Sequence, residues 1–338
     1  MKHRSGSVRS LGFLLLVLAV TGCGGTANHS DLPRDRGTLR IGLMPKLIGI
    51  AYFTACNRGA QEAAAELGVE VTYDGPPVDK VEEQNKIVDR WVAQEFDVIA
   101  VAPNDPEVIA EPLRLAREEG VVTLTWDADA NPTSSQRQLF VNQAPIELVG
   151  FALVDVLGEA IGGEGKTVII TGSATSPNQN AWMTAMHRRL AHRYPKITLL
   201  ETLVSDEDQG KAAQLARDVL AAHPDLRGIW GITSMALPGA AKAVRDAGRS
   251  GQVIVTGLGL PNVMREYVKD GTVPRFVLWN AEDLGYLTVH VGARLARGEL
   301  PPGRHDFGRL QQIEVTESEV ILGPPVVFDR ANIDQYDF

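Results

Sequence analysis

The sequence predicts an α/β fold of two similar lobes, each a parallel sheet flanked by helices. Three observations carry this. Short, continuously apolar, β-branched runs alternate with longer amphipathic stretches, the pattern of parallel strands buried on both faces and linked by helices. Several amphipathic stretches stop at glycine, as at Leu67-Gly68, Glu119-Gly120 and Ala247-Gly248, where a left-handed residue ends a helix without steric cost. The strand–helix series also runs twice, with a junction near Asn142.

In the first series the expected strands are Leu39–Met44, Val69–Tyr73, Val98–Ala102 and Val121–Trp126, with helices over Phe53–Leu67, Val81–Glu95 and Glu107–Glu119. In the second they are Thr167–Thr171, Ile197–Leu203, Gly228–Ile232 and Val253–Gly257, with helices over Ile146–Ile161, Asn180–Arg193, Lys211–Ala221 and Pro238–Ala247. Two loops occupy equivalent places: Pro45–Ala51 follows the first strand of series one, and Gly172–Gln179 follows the first strand of series two. Ligands of open parallel sheets sit beyond the carboxyl ends of the strands, so two facing lobes bring both loops to a shared cleft.

The 338 residues suit roughly two domains of ~150 residues each. A hydrophobic fraction of 44% and a charged fraction of 22% are ordinary for a soluble globular chain with a sizeable core. The formal net charge is -9, and the first 22 residues hold Lys2, Arg4 and Arg9 but no acid, which leaves 30 basic against 42 acidic residues beyond them. Such an acidic chain gives no support for nucleic-acid binding, which needs clustered Lys and Arg against phosphates.

The N-terminus reads as a targeting segment. Lys2, Arg4 and Arg9 precede an apolar run, Leu11–Val20, too short to span a bilayer as a helix but of the proportions of a signal-peptide core. It ends in Val20-Thr21-Gly22-Cys23, which resembles the bacterial lipobox, whose Cys is acylated and becomes the first mature residue. A plain secretory signal with an incidental Cys is the alternative. Residues 1–22 are therefore expected to be a lipoprotein signal peptide and 23–37 a flexible tether. With Cys23 lipidated, Cys56 stands alone, no intrachain disulfide forms, and stability rests on the core. No later segment reaches about 18 uninterrupted apolar residues.

Polar and aromatic residues gather at the expected strand ends. Lys46 and Phe53 flank the first loop; Asn104 and Asp105 follow the third strand; Trp126 and Asp127 end the fourth; Asn178, Gln179, Asn180 and Trp182 follow Thr167–Thr171; and Trp279 and Asn280 follow the apolar run 276–278. The mixture suits a polyol, because hydroxyls need amide and carboxylate partners and sugar C–H faces need flat aromatic surfaces. Asp105-Pro106 also reads as a helix cap, and Trp182 and Phe53 also read as core. Lys46, beside Pro45, is harder to read as a solvated charge, and Asp127 is the leading candidate.

Enzyme motifs are missing. The run 162–167 imitates a phosphate-binding loop, but Ala160 stands where that motif needs Gly, and the run precedes a strand instead of following one; it reads as a turn. His187 and His192 are about 140° apart around a helix, too far to share one metal. No Gly-x-Ser-x-Gly elbow occurs. Neither metal nor cofactor is expected.

With these residues in view, the chain resembles the type I periplasmic sugar-binding proteins of ATP-driven importers, from about Leu39 to the C-terminus. Within them it looks like the branch of rhamnose-binding and autoinducer-2-binding proteins. The segments that carry the likeness are IGLMPKLIGIAYF (41–53), VTYDGP (71–76), LTWDAD (124–129), the NQN of 178–180 with Trp182, GLPNVM (259–264), LWN (278–280) and NIDQYDF (332–338). The resemblance implies two Rossmann-like lobes joined by three crossover strands: 38–142 plus 281–302 for the first, 143–280 plus 303–330 for the second, and a tail at 331–338. It implies ligand contacts from Lys46, Asp127, Asn178, Gln179 and Trp279, with Ser234 and Met235 contributing from the loop 232–235. Phe53, Asp105 and Asn280 complete the candidate set.

Autoinducer-2 binders carry a sequence like Asp-Gln-Asn in the second-lobe loop and a Pro-Asp-Ala stretch further on; here those positions read Asn178-Gln179-Asn180 and Ile232-Thr233-Ser234. The segments VTGLGLP (255–261) and LWNAEDLGY (278–286) look closer to the rhamnose binders. A deoxyhexose such as rhamnose is thus the expected ligand, with autoinducer-2 as the alternative. The implied partners are the permease subunits of the transporter and, through lipid on Cys23, an extracytoplasmic membrane surface. A monomer is expected. An exported enzyme or a sensory adaptor on the same scaffold are further alternatives, since fold alone does not fix function.

Overall fold

A computed structural model describes residues 37–78 and 80–338. The signal peptide, the lipidation site expected at Cys23 and the tether up to residue 36 lie outside the described residues.

The first series runs β1 (Arg40–Met44), α1 (Ala51–Leu67), β2 (Glu70–Tyr73), α2 (Val81–Ala93), β3 (Val98–Val101), α3 (Ala110–Glu118), β4 (Val122–Trp126), the single turn α4 (Pro132–Ser135) and β5 (Leu139–Asn142). The second runs α5 (Ile146–Ala160), β6 (Glu164–Thr171), α6 (Pro177–Arg193), β7 (Lys196–Val204), α7 (Gln209–Ala222), β8 (Leu226–Gly231), α8 (Ala236–Asp246), β9 (Ile254–Gly257), α9 (Pro261–Asp270) and β10 (Phe276–Leu278). The chain returns through α10 (Ala281–Ala296), β11 (Gly303–Phe307), β12 (Leu310–Val315) and β13 (Glu319–Ile321), and ends with β14 (Val326–Phe328) and a 3-10 turn at Ile333–Gln335.

One sheet has the order β11-β12-β13-β5-β4-β3-β1-β2 and the other β7-β6-β8-β9. Strands β1 to β5 and β6 to β9 are parallel within their sheets. The order β2-β1-β3-β4 in one lobe matches β7-β6-β8-β9 in the other, so the repeat read from the sequence is a repeat of topology. In each lobe the strand order reverses beside the first strand, which opens a crevice at that strand's carboxyl end. The loops after β1 and β6 sit there.

The strands form because their residues are apolar on both faces: all four residues of β3 and the last four of β1 are buried. Helix α1 stops where Gly68 adopts φ 64° and its N–H returns to the Ala64 carbonyl, a left-handed cap that only glycine makes cheaply. Helices α1 and α10 pack backbone to backbone. A Cβ on Gly59 would lie 1.8 Å from the Glu282 carbonyl oxygen, and one on Gly285 1.8 Å from that of Cys56. This contact fixes the start of α1, which carries Tyr52 and Phe53, against the segment that follows Trp279.

Three links cross between the lobes. Residues 143–145 lead from β5 to α5, which packs on β8, β9 and β10; residues 279–280 lead from β10 to α10, which packs on β1, β3, β4 and β5; residues 322–325 lead from β13 to β14. The expected placement of 303–330 in the second lobe is corrected in part. Strands β11 to β13 extend the first sheet, where Val320 of β13 pairs with Val141 of β5; only β14 pairs with β10. The tail is docked, not loose: the Asn262 N–H donates to the Phe338 carbonyl at 3.0 Å, and Ile333 and Phe338 are buried. Among the described residues no helix is long and apolar enough to cross a membrane.

Candidate functional site

A cavity lies between the loops at the strand ends, where ligands of open parallel sheets bind. The first lobe contributes Lys46, Leu47, Ile50, Tyr52, Phe53 and Asp127; the second contributes Asn178, Gln179, Trp182, Glu207, Ile232, Thr233, Ser234, Leu258 and Leu278; Trp279 belongs to a crossover.

Lys46 leaves β1 just after Pro45 and is buried. Its Nζ donates to Ser176 Oγ and Asn178 Oδ1, each at 2.7 Å, and faces Asp127 Oδ2 at 3.6 Å. Asp127 follows β4 with φ 62°. Asp tolerates this left-handed conformation better than most residues, but at some strain. There Asp127 Oδ1 accepts from the Tyr52 hydroxyl at 2.8 Å, and that hydroxyl accepts from Trp279 Nε1 at 2.8 Å. A hydrogen-bonded chain therefore runs from the crossover tryptophan through Tyr52 to the carboxylate. Burial raises the Asp127 carboxyl above its ordinary value, opposed by the Lys46 charge and the Tyr52 hydrogen bond. Burial, reinforced by Asp127, also pushes the Tyr52 phenol well up, so it stays a donor.

The second-lobe loop ends earlier than the sequence suggests. Pro177 starts α6, so Asn178 and Gln179 lie in its first turn. Asn178 Nδ2 donates to the Asp127 carbonyl at 3.1 Å and to its Oδ2 at 3.3 Å, so the residue joins both first-lobe charges. Gln179 lines the cavity with both the oxygen and the nitrogen of its amide held. Its Oε1 accepts from Thr171 Oγ1 and from the Gly172 and Ser173 N–H groups, and its Nε2 donates to Glu207 Oε1 at 2.8 Å. Trp182 and Trp279 face each other with centroids 5.8 Å apart, and the buried Trp182 Nε1 has no hydrogen-bond partner among the described residues. Trp N–H groups are normally paired when buried, so this donor is open to a ligand acceptor.

Seven of the ten candidate residues line the cavity: Lys46, Phe53, Asp127, Asn178, Gln179, Ser234 and Trp279. Asp105, Met235 and Asn280 do not. Asp105 Oδ1 accepts from the Glu107 and Val108 N–H groups, closing the turn that leads to α3, whose own N-cap is Ile109. Asn280 caps α10 through the Glu282 and Asp283 N–H groups. Met235 opens α8 and packs on the core. Asn104 acts one step back, donating to the Lys46 carbonyl at 3.0 Å. Trp126 is core and donates to the Met44 carbonyl. Asn180 is exposed and donates to the Ala174 carbonyl. His187 and His192 are exposed on α6, and no group of three metal-ligating side chains occurs among the described residues.

Two polar lining residues, Tyr52 and Glu207, were not legible in the sequence. Tyr52 sits beside Phe53, where an aromatic pair reads as core. Glu207 lies in the acidic run 206–208 just after β7, itself a strand end, and its neighbour Asp208 caps α7. Burial raises the Glu207 carboxyl, against the Lys46 charge and the Gln179 and Thr233 hydrogen bonds.

The sequence matches the periplasmic binding protein domain family over residues 41–300. It is 27% identical over 310 residues to the D-ribose/D-allose-binding protein of Pseudomonas aeruginosa, covering 87% of this chain and 93% of that one. Among solved structures, an ABC transporter solute-binding protein of Clostridium phytofermentas with bound L-rhamnose is 27% identical, with a TM-score of 0.83 and coverage of 89% of this chain and 98% of that one. LsrB of Clostridium saccharobutylicum in complex with AI-2 is 25% identical, also with a TM-score of 0.83, over 89% and 100%. The α/β lobes, the three crossovers and a cavity at the facing strand ends agree with the sequence match: this chain belongs to the periplasmic binding protein family and is a binding protein, not an enzyme.

Proposed function

We propose that this chain is the solute-binding component of an ATP-driven importer and that it clasps a neutral sugar between its lobes, with a 6-deoxyhexose such as L-rhamnose as the first candidate. The observation that carries this reading is the composition of the cavity. Charged and amide groups come from both lobes (Lys46 and Asp127 from one, Asn178 and Glu207 from the other), and they surround a wall of Phe53, Trp182 and Trp279. Ring hydroxyls suit the former and C–H faces the latter. The apolar side chains Leu47, Ile50, Ile232, Leu258 and Leu278 suit a methyl where an ordinary hexose carries a hydroxymethyl group.

The L-rhamnose-bound relative supports this choice, while the ribose/allose-binding relative widens the sugar class. Autoinducer-2 is the second reading, supported by the equally similar AI-2 complex; the amide of Asn178 in place of a carboxylate argues against it. On this reading the lobes are 38–142 with 281–321, and 143–280 with 322–330. Export, lipidation at Cys23, action as a monomer and docking to permease subunits complete the proposal.

The test is a thermal-shift screen of L-rhamnose, D-ribose, D-allose and autoinducer-2, followed by calorimetry of any hit. A ligand at 100 times its dissociation constant adds ~2.7 kcal/mol of stability. A shift with L-rhamnose is expected. Binding of autoinducer-2 with no response to any sugar would reverse the ranking.

A further inference from the structure

We propose that Glu207 determines the specificity of the cleft: its carboxylate accepts hydrogen bonds from hydroxyls of a neutral sugar and turns away sugars that carry a carboxylate or phosphate. The inference rests on the sugar-binding reading above and adds the class of sugar admitted.

The placement of Glu207 is built, at the expense of local strain. Asp206 and Glu207 take consecutive φ values of 55° and 52°, a left-handed pair that side-chain-bearing residues adopt rarely and at a cost. The carboxylate then lies over Gly172, where a Cβ would come 1.9 Å from Glu207 Oε1, so any larger residue at 172 would displace it. Gln179 holds it from the other side. Three donors fix the Gln179 carbonyl oxygen, which leaves Nε2 aimed at Glu207 Oε1 at 2.8 Å. Gln179 is thus a positioning residue, and what it positions is a cavity-lining acid.

The charge balance gives that acid its meaning. Lys46 is the one cationic side chain among the described residues that line the cavity, against two carboxylates, Asp127 and Glu207. An ammonium has three protons, and those of Lys46 are directed at Ser176, Asn178 and Asp127. The Lys46 charge also acts on Glu207, but its protons are all engaged, so no free donor of positive charge is left to pair an acidic ligand. A carboxylate or phosphate brought into this partly desolvated space would add a third negative charge close to the second. A hydroxyl brings a donor, which an acceptor-only carboxylate requires.

The test is calorimetry of the full mature chain with L-rhamnose, D-ribose, D-allose, D-fucose and D-galacturonate, the last carrying a carboxylate where D-fucose carries a methyl. The wild type is expected to bind at least one neutral sugar and to hold D-galacturonate at least about 100-fold more weakly. Glu207→Gln keeps an acceptor for Gln179 and removes only the charge. It should weaken the neutral sugar about tenfold or more without weakening D-galacturonate, so the ratio narrows. Should Glu207→Gln fail to fold, Glu207→Asp keeps the charge but withdraws the carboxylate by one methylene; it should lose neutral-sugar affinity and still exclude D-galacturonate. Wild-type neutral-sugar affinity in the folded variant, or wild-type protein that binds D-galacturonate as tightly as any neutral sugar, would overturn the assignment while leaving the sugar-binding reading intact. A wild type that binds none of the neutral sugars would remove that reading and this inference with it.

Discussion

Lys46 Nζ lies 2.7 Å from Asn178 Oδ1, a direct hydrogen bond between the facing lobes from residues 132 positions apart in the chain. Asn178 returns its amide protons to Asp127, so three side chains close a ring across the cleft. A ligand that touches both halves would be held more tightly when the lobes meet, and its differential affinity would move the population toward a closed form.

Removing the cation from this ring should be costly. Lys46→Met leaves the buried Asp127 carboxylate without its charge partner, and breaking a buried pair in that way costs about 3–5 kcal/mol. Chemical denaturation is expected to show that loss together with loss of sugar binding. Adding Asp127→Asn to the same chain should restore part of the stability but none of the binding, because it removes the unpaired buried charge and keeps a residue type that accepts the left-handed φ of 62°. Wild-type affinity in Lys46→Met would mean that the lysine is structural only.

Asp127 is expected to contact the ligand through a charge-assisted hydrogen bond worth ~1.5–3 kcal/mol. Asp127→Ala should therefore weaken sugar binding at least about tenfold with the fold retained. Asp127→Asn should weaken it less, since it keeps one acceptor and loses the charge. Calorimetry on the two variants checks both the size and the order; equal affinity in both and in the wild type would leave Asp127 as a partner of Tyr52 and Lys46 alone.

The strands buried on both faces were legible because β1, β3 and β4 are built mostly of apolar and β-branched residues, and the repeat was legible because both lobes wind in the same order. Lys46 and Asp127 were legible because strand ends face the cleft and charge there needs a reason. Three features were hidden. Asp105 closes a turn and Asn280 caps a helix at the same strand ends, with the same residue types a sugar site uses, so pattern alone does not separate the roles. Glu207 depends on two left-handed residues and on the room above Gly172, none of which leaves a periodic signal. Strands β11 and β12 lie at the sheet edge with mostly exposed side chains, so they lack the apolar runs that mark the central strands.

Close packing of α1 on α10 supports the site from behind. Gly285→Ala would place a methyl 1.8 Å from the Cys56 carbonyl oxygen, and overpacking of this kind typically costs about 1–3 kcal/mol. The variant should melt at a lower temperature. It should also bind sugar less well, because the helix pair sets Tyr52 against Trp279, which are joined by a 2.8 Å hydrogen bond. An unchanged melting temperature would show that the helices part without strain.

His290 on α10 should make stability depend on mildly acidic pH. It is 2% exposed, and neither ring nitrogen has a hydrogen-bond partner among the described residues. Burial holds its imidazole below the ordinary 6.5; Glu66, 3.8 Å away, opposes this, and the Arg294 and Arg309 charges add to it. The unfolded chain thus takes up a proton at a pH where the folded one still resists. Stability from this group is intact above about pH 6.5 and declines as pH falls below it toward the folded value. Urea midpoints at about pH 7.5, 6.5 and 5.5 should fall less steeply for His290→Phe than for the wild type. Parallel curves would remove His290 from the account.

The measurement that bears most directly on the central claim is a crystal structure of the protein with its tightest-binding neutral sugar. The account predicts one sugar in the cavity between the lobes, with hydroxyls within hydrogen-bond distance of Asp127 from the first lobe and Glu207 from the second, and a ring face against Trp182 or Trp279. A sugar seated outside that cavity, or touching the residues of one lobe only, would contradict it.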